Sequence, residues 1–407
     1  MTAPTTTQMA HILKRMYSQN RVFNLVYDNN PFLAMCPKAQ FKGAAEAITV
    51  RYADNVGGRS SAFATAQAQV NAHKGEQFLL TTVSDYQLYQ LSFEAILAGR
   101  DNAATLLSTL DTEVSAAIHN ASRSLAIAMY GSGSGRIGVI AAAGITGDVI
   151  TLSNANDVTN FEVGQVLVAD QGTEGGALRD SGDSMTVTDI NRSAGTITVS
   201  AVANITGLAA ADGLYMKGDA QNGGSKVRLS GLEAWNPSAA PSATSFFGVD
   251  RTADTDRLGG VRIDISALNP EEGVIVALHR MARDGAKPSH LFLNYSDSQN
   301  VHLALGTDAQ REYTTVGEVG FSRIRLLGPT GDLMIQPDVN CPAGVGRLLQ
   351  LNTWKLYHRG ELLNLQDLDG AKQSRIYNED AYEGRISFYG QMGCLAPGYN
   401  ARLTMPT

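Results

Sequence analysis

Residues 101–136 read DNAATLLSTLDTEVSAAIHNASRSLAIAMYGSGSGR, and the rest of the chain is organised around this segment. Its apolar stripe consists of Ala103, Leu107, Leu110, Val114, Ala117, Ala121, Leu125 and Ala128. Spacing by threes and fours predicts an α-helix with one apolar face, with Asp101 as its N-cap and Gly131 at its end. A helix of about 30 residues is about 45 Å long, more than a small domain is wide. We therefore predict a spine helix that packs one face on a sheet.

The region after the spine helix changes to short strands. GSGSGR (Gly131–Arg136) reads as a flexible link, and QNGGS (Gln221–Ser225) is glycine-rich as well. The hairpin signal VTDINRSAGTITV (Val187–Val199) lies between them. Strands at this spacing predict a small antiparallel β-barrel, inserted at residues 137–222. The predicted strands are Val149–Leu152, Gln165–Ala169, Met185–Asp189, Thr196–Val199 and Gly213–Met216.

Before the spine helix, the sequence pattern predicts an extended loop over residues 46–94. Ala47–Ala53 and Gln87–Glu94 read as strands, and Asp54–Lys74 between them has almost no large apolar side chains. Such a segment cannot bury enough surface to order itself. We expect it to be ordered where it lies across a neighbouring subunit.

Residues 1–45 read as an N-terminal arm. Thr7–Gln19 has helical spacing, and Val22–Cys36 reads as an extended strap whose aromatic side chains need a cover. The strap has two interpretations that the sequence leaves open. It is either held against another molecule or part of the subunit's own core.

From residue 223 onward, the sequence pattern predicts an α+β body, with helices on one or more antiparallel sheets. Asn269-Pro270-Glu271-Glu272 is a helix start with Asn269 as cap, and Gly285 ends that helix. Ser296 is predicted to cap a second helix, which ends at Gly306. The strands are predicted at Pro288–Asn294, Ile324–Leu327, Asp332–Gln336, Leu348–Leu351, Trp354–Tyr357, Tyr382–Tyr389 and Tyr399–Thr404.

Composition excludes several classes of protein. The 407 residues carry a net charge of -7, which argues against a nucleic-acid-coating protein because that needs clustered Lys and Arg. Only 17% of residues are charged and 41 are glycine, as expected where much surface ends against other protein. The three cysteines are far apart, which predicts neither disulfides nor zinc and fits a reducing cytoplasm. No apolar run suits a signal peptide or a membrane span.

Residues suited to catalysis do not form a recognisable constellation, so we predict no enzyme activity, cofactor or metal. The acidic loop with Asp170, Glu174, Asp180 and Asp183 offers the oxygen ligands that calcium prefers. Its spacing matches no EF-hand, and we favour a solvated barrel loop.

The order of these parts resembles the major capsid proteins of tailed bacteriophages, which have the Hong Kong 97 fold. The resemblance also rests on PSHLFLNYSDSQNVHLALG (Pro288–Gly306), GFSRIRLLGPTGDLMIQPDVNCPAG (Gly320–Gly344) and PGYNARLTM (Pro397–Met405). It implies an α+β, Hong Kong 97-like fold with an inserted antiparallel β-barrel. The implied parts are an N-arm (1–45), an extended loop (46–94), a spine helix of the peripheral domain (95–136), the barrel (137–222), an axial domain (223–340) and a return to the peripheral domain (341–407).

The resemblance implies a protein that self-assembles, as pentamers and hexamers, into the icosahedral shell around a phage's double-stranded DNA. The implied partners are a separate scaffolding protein, a portal and a decoration protein, with weak non-specific contact to DNA and no membrane. The implied location is the virion capsid, after synthesis in the host cytoplasm. An encapsulin-like compartment shell and a phage tail or adhesion module remain alternatives. Candidates for contacts between subunits are Phe23, Tyr27, Phe32, Arg51, Arg59, Lys74 and Glu76.

Overall fold

A computed structural model describes most of the chain. The described residues are 30–55, 57–92, 103–224, 226–305, 310–316, 319–367, 373–377 and 379–406. The helices are α1 (Pro31–Met35), α2 (Phe63–Ala68), α3 (Ala103–Tyr130), α4 (Leu232–Trp235), α5 (Pro270–Arg283) and α6 (Tyr295–Leu305). Among the described helices, none is both long enough and apolar enough to cross a membrane.

The strands form two large sheets, a closed barrel and a two-stranded sheet. Their bounds are β1 (Lys38–Gln40), β2 (Ala45–Ala53), β3 (Lys74–Thr81), β4 (Val83–Ser92), β5 (Arg136–Thr146), β6 (Val149–Leu152), β7 (Val166–Ala169), β8 (Met185–Asn191), β9 (Thr196–Val199), β10 (Gly213–Met216), β11 (Val261–Asp264), β12 (His290–Leu293), β13 (Gln310–Val316), β14 (Val319–Gly328), β15 (Gly331–Pro337), β16 (Val345–Leu349), β17 (Trp354–His358), β18 (Asn364–Leu365), β19 (Gln373–Arg375), β20 (Ala381–Cys394) and β21 (Ala401–Thr404).

The spine helix is confirmed as α3, whose described part begins at Ala103 and ends at Tyr130. The cap expected at Asp101 lies outside the described residues. Val114, Ala117 and Leu125 are buried in one core with side chains of β4 and β20. The predicted apolar face of the helix is therefore the face that packs on the sheet.

The six-stranded sheet is built on β20. One edge of β20 pairs with β4, and the other edge pairs with β17, β18 and β19, all antiparallel. The strand Gln87–Glu94 is predicted to belong to the extended loop. The structure corrects this placement, because β4 belongs to the six-stranded sheet. The loop's own return strand is β3, which pairs with β2 from Ala45↔Thr81 to Ala53↔Lys74.

The seven-stranded sheet has the order β11-β21-β16-β12-β15-β14-β13. It is mixed and not antiparallel as predicted, because β11 pairs with β21, and β12 with β15, in parallel. Two of its strands, β16 and β21, come from residues 341–407, which the sequence had assigned to the peripheral domain. Val274, Leu278 and Met281 of α5 are buried against this sheet.

The helix starts differ from the predicted caps in their details. α5 begins after Asn269, but the Asn269 side chain makes no capping hydrogen bond. Pro270 and two acidic residues in the first turn are enough to place the start. For α6 the capping side chain is Asn294, whose Oδ1 accepts from the Ser296 amide at 3.2 Å. Ser296 therefore lies within the first turn.

The inserted antiparallel barrel is confirmed. Its six strands close in the order β10-β5-β6-β9-β8-β7 around buried apolar side chains that include Ile150, Ile197 and Leu214. The hairpin of β8 and β9 turns as predicted, with Asn191 opposite Thr196 and Gly195 at φ +65°. β5 was not predicted, because its run of Ala and Gly residues lacks the alternation of a strand.

The predicted flexible link GSGSGR is instead a hydrogen-bonded junction. The Ser132 hydroxyl donates to Glu174, and the Ser134 hydroxyl donates to the same Oε1 at 2.7 Å. Arg136 pairs with Glu174 at 2.8 Å. The exit strand is held here too, since the Gln221 amide donates to the Ser134 carbonyl at 2.9 Å. The barrel is therefore held to the body both where the chain enters it and where the chain leaves it.

We expect Glu174→Gln to loosen this junction at neutral pH. Burial alone would raise the pKa of Glu174, but Arg136 and the Ser132 and Ser134 hydroxyls hold that pKa below its ordinary value of 4.5. A lowered folded pKa stabilises the fold above the unfolded value, and this stabilisation is lost as pH falls through the folded value. Hydrogen exchange of the Gln221 amide should show protection reduced by about 1–3 kcal/mol at neutral pH. The variant and the wild type should converge as the pH falls through the folded pKa of Glu174, which lies below 4.5; an equal difference at acidic and neutral pH would contradict the assignment.

Candidate intersubunit contact surface

The extended loop (Ala45–Thr81) is anchored to the body at its base. Ile48 lies opposite Phe78 in the pairing of β2 with β3, and both side chains are buried. The Phe78 ring centre lies 5.0 Å from that of Trp235. The indole of Trp235 donates to the Met392 carbonyl at 3.0 Å. One face of the loop's base is thus part of the subunit's main core.

A strained turn provides a second attachment of the extended loop to the body. The Leu79 amide donates to the carbonyl of Phe247 at 2.9 Å. Phe247 has φ +50°, a left-handed conformation that costs a non-glycine residue about 1–3 kcal/mol. The aromatic rings of Phe246 and Phe247 pack around Trp235, with centroid separations of 5.1 and 6.0 Å. This packing holds the strained turn where β3 needs a hydrogen-bond partner.

The tip of the loop (residues 54–73) has no cover within the subunit. None of its described residues is buried, and the same holds for all six residues of α2. Phe63, the first residue of α2, is 82% exposed. The strands are joined near the tip by Asn55, whose Oδ1 accepts from the amides of Gly58 at 3.2 Å and Asn71 at 3.1 Å. Because isolated helices shorter than about 12 residues are marginal in water, α2 needs a partner surface.

The four charged candidates all lie on this loop but do not form one cluster. Arg51 pairs with Asp54 at 3.1 Å, and both side chains are exposed. Arg59 lies in the tip, Lys74 starts β3, and Glu76 is half-buried opposite Val50. Exposed pairs of this kind are worth about 0–1 kcal/mol. They are suited to weak, reversible contacts.

The prediction that Phe32 contacts a neighbouring subunit is corrected by the structure. The Phe32 side chain is 1% exposed and packs in the subunit's own core, with ring centres 5.3 Å from Tyr130 and 5.1 Å from Phe292. It therefore offers no surface to a neighbour. The strap was predicted to be extended, but Pro31–Met35 is helical, with Pro31 in the first turn where its missing amide costs nothing. Phe23 and Tyr27 lie outside the described residues.

The segment around Phe32 is held by a buried carboxyl. Asp338 Oδ2 accepts from the Phe32 amide at 3.2 Å and from the Tyr130 hydroxyl at 2.9 Å. Burial raises the pKa of Asp338 above its ordinary value. Asn340 extends this network by donating to Asn30 at 3.0 Å. The segment therefore joins the end of the spine helix to the region after β15.

The acidic loop of the barrel is only partly solvated, which corrects the prediction. Asp170 is fully buried and accepts from the Gly213 amide and the Tyr215 hydroxyl, each at 2.6 Å. Glu174 belongs to the junction described above, while Asp180 and Asp183 are exposed. Within the described ranges, no three His, Cys, Asp or Glu side chains are grouped as metal ligands.

Two features of the loop were missed from the sequence. β3 escaped notice because the run Phe78-Leu79-Leu80 hides the alternation of buried and exposed positions. Phe63 was not named as a contact candidate. Its signal was a single large aromatic side chain within a stretch of small polar residues.

Comparison with known proteins supports the fold through structure and not through sequence. The sequence matches no family model and no curated protein. The chain is similar to the capsid subunit of cyanophage A-1(L), with 12% identity, 93% of each chain covered and a TM-score of 0.51. It is also similar to the capsid of a native GTA particle (8% identity, 93% and 91% covered, TM-score 0.47) and to the SrpI encapsulin of Synechococcus elongatus (8%, 92% and 86%, 0.43).

The cyanophage likeness extends over 93% of this chain. A likeness of this extent at low identity is evidence about the fold. The chain has a phage-capsid fold, α+β and Hong Kong 97-like, with an antiparallel barrel inserted after its spine helix.

Proposed function

We propose that the chain is the major capsid protein of a tailed bacteriophage. Copies of it, arranged as pentamers and hexamers, would form the icosahedral shell around double-stranded DNA. The observation that carries the proposal is the extended loop, whose base is locked into the core and whose tip is uncovered. A folded helix with no buried residue is explained by a neighbouring subunit that covers it.

The polar residues of the loop are proposed to act in assembly. Arg51, Arg59, Lys74 and Glu76 would make weak contacts that form and break while subunits correct their positions. Buried apolar contacts, at about 25 cal/mol per Å², would then stabilise the finished shell. The role is structural, and no catalytic step belongs to it.

The proposed location is the virion capsid, with synthesis in the host cytoplasm. A net charge of -7 favours weak, non-specific contact with the packaged DNA. A portal and a decoration protein are proposed as further partners. A separate scaffolding protein is proposed as well. We expect the chain expressed alone to give shells of irregular size; uniform closed shells made without other phage proteins would overturn this part of the proposal.

The content of purified particles tests the phage assignment. Particles recovered from cells that produce the complete virus should contain double-stranded DNA that nuclease cannot reach until the shell is opened. Particles that contain a folded enzyme and no DNA would replace the proposal with an encapsulin-like compartment. Recovery of the chain only in tail fibres would replace it with an adhesion module.

A further inference from the structure

A cleft of about 660 Å³ lies between the spine helix and the inserted barrel. The helix lines it with Arg123 and Ile127, and the barrel lines it with Val163 and Met216. Val163 is 62% exposed and Met216 is also exposed. Clefts of this size lined by exposed apolar side chains are typical of binding sites.

The cleft is lined by three arginines and Lys217, and four carboxylates in or beside it balance these four positive charges. The arginine pairs are Arg123 with Glu162 at 2.6 Å, Arg136 with Glu174 at 2.8 Å, and Arg228 with Asp85 at 2.8 Å and Asp219 at 3.1 Å. Lys217 donates to the Ser184 hydroxyl at 3.1 Å. A strongly anionic partner such as DNA therefore finds no excess of positive charge here. The chemistry favours a weakly charged segment that carries an apolar anchor.

The tip of the extended loop has this chemistry. Between its end residues Asp54 and His73, residues 57–72 of the tip carry a single charged side chain, Arg59, and a single aromatic side chain, Phe63. Phe63 is almost fully exposed and starts a helix with no buried residue. The loop tip does not line the cleft of its own subunit.

We propose that the loop tip of one copy docks in the cleft of a second copy, with Phe63 between Val163 and Met216. The inference rests on the proposed function, because it requires copies to lie side by side in a shell. The tip and the cleft are different surfaces, so the contact is heterologous and repeats from copy to copy. It also gives the inserted barrel a role, since the barrel forms one wall of the receiving site.

Crosslinking between two differently tagged variants tests the contact. Phe63→Cys is mixed with Val163→Cys under conditions in which the chain associates, and a short bismaleimide is added. Burial raises the pKa of Cys36 and Cys394 to about 12 and that of Cys341 further, so these three buried thiols react slowly. The control mixes Phe63→Cys with Val149→Cys, which is also an exposed barrel valine but does not line the cleft.

We expect the first mixture to give crosslinked pairs that carry both tags, and the control to give few. Equal crosslinking of both mixtures, or none in the first while electron microscopy shows closed shells, would overturn the docking site and leave the proposed function intact. Crosslinking in the first mixture without closed or curved assemblies would support the contact and count against a shell. As a second measurement, Phe63→Ser should weaken association on the order of tenfold. Unchanged association would also overturn the inference.

Discussion

Deleting Asn55–Gln69 is expected to leave a folded subunit that forms no closed shell. The deletion removes α2 and most of the tip, in which no described residue is buried. The core contacts of the loop's base, from Phe78 to Trp235, remain in place. Subunit stability should therefore change little, because surface segments without buried contacts contribute little to it. Assembly should fail, because the tip is the part proposed to cover a neighbour.

Thermal unfolding and electron microscopy of the same preparation separate the two effects. Val149→Ser serves as the control, because Val149 is an exposed barrel residue outside the cleft. This control should assemble as the wild type does. Normal shells from the deletion variant would mean that the tip has no part in assembly.

Phe32→Ala and Phe63→Ala are expected to have opposite effects on stability and assembly. Phe32 is fully packed against Tyr130 and Phe292, and its truncation should lower the free energy of unfolding by about 3–5 kcal/mol. Phe63 is 82% exposed, so its truncation should cost the isolated subunit less than about 0.5 kcal/mol. Phe63→Ala should nevertheless reduce assembly.

Denaturant unfolding of unassembled subunits measures the first effect, and light scattering during assembly measures the second. The two changes are the same chemically, so each variant controls for the other. A small loss of stability in Phe32→Ala would contradict the placement of α1 in the core. A large loss in Phe63→Ala would mean that the tip packs within its own subunit.

The elements that were predicted well are those whose pattern is local. The spine helix repeats its apolar side chains over many turns, and three barrel strands begin and end where the sequence placed them. β5 and β3 were missed because neither shows alternation in its sequence: β5 contains the run Ala141–Gly144, and β3 contains Phe78-Leu79-Leu80. The path of the chain between sheets could not be predicted either. β16 and β21 return to the seven-stranded sheet through pairings with distant strands.

The contact surface was predicted through the composition of the loop, which lacks the side chains needed to cover itself. Individual residues were harder to assign. An aromatic side chain such as Phe32 looks the same in a sequence whether its own core or a neighbour buries it. The buried carboxyl of Asp338, which fixes the Phe32 segment, comes from 306 residues further along the chain. Phe63 could be recognised as a contact candidate only from the structure, because the structure shows that none of the residues of its helix is buried.

Electron microscopy of the concentrated, purified chain tests self-assembly most directly. The account predicts closed or curved shells built from rings of five and six copies, with the extended loop of each copy lying over the next. Particles of irregular size would still agree with it, since a scaffolding protein is proposed to set the size. Single subunits, isolated trimers or straight fibres at every concentration would contradict it.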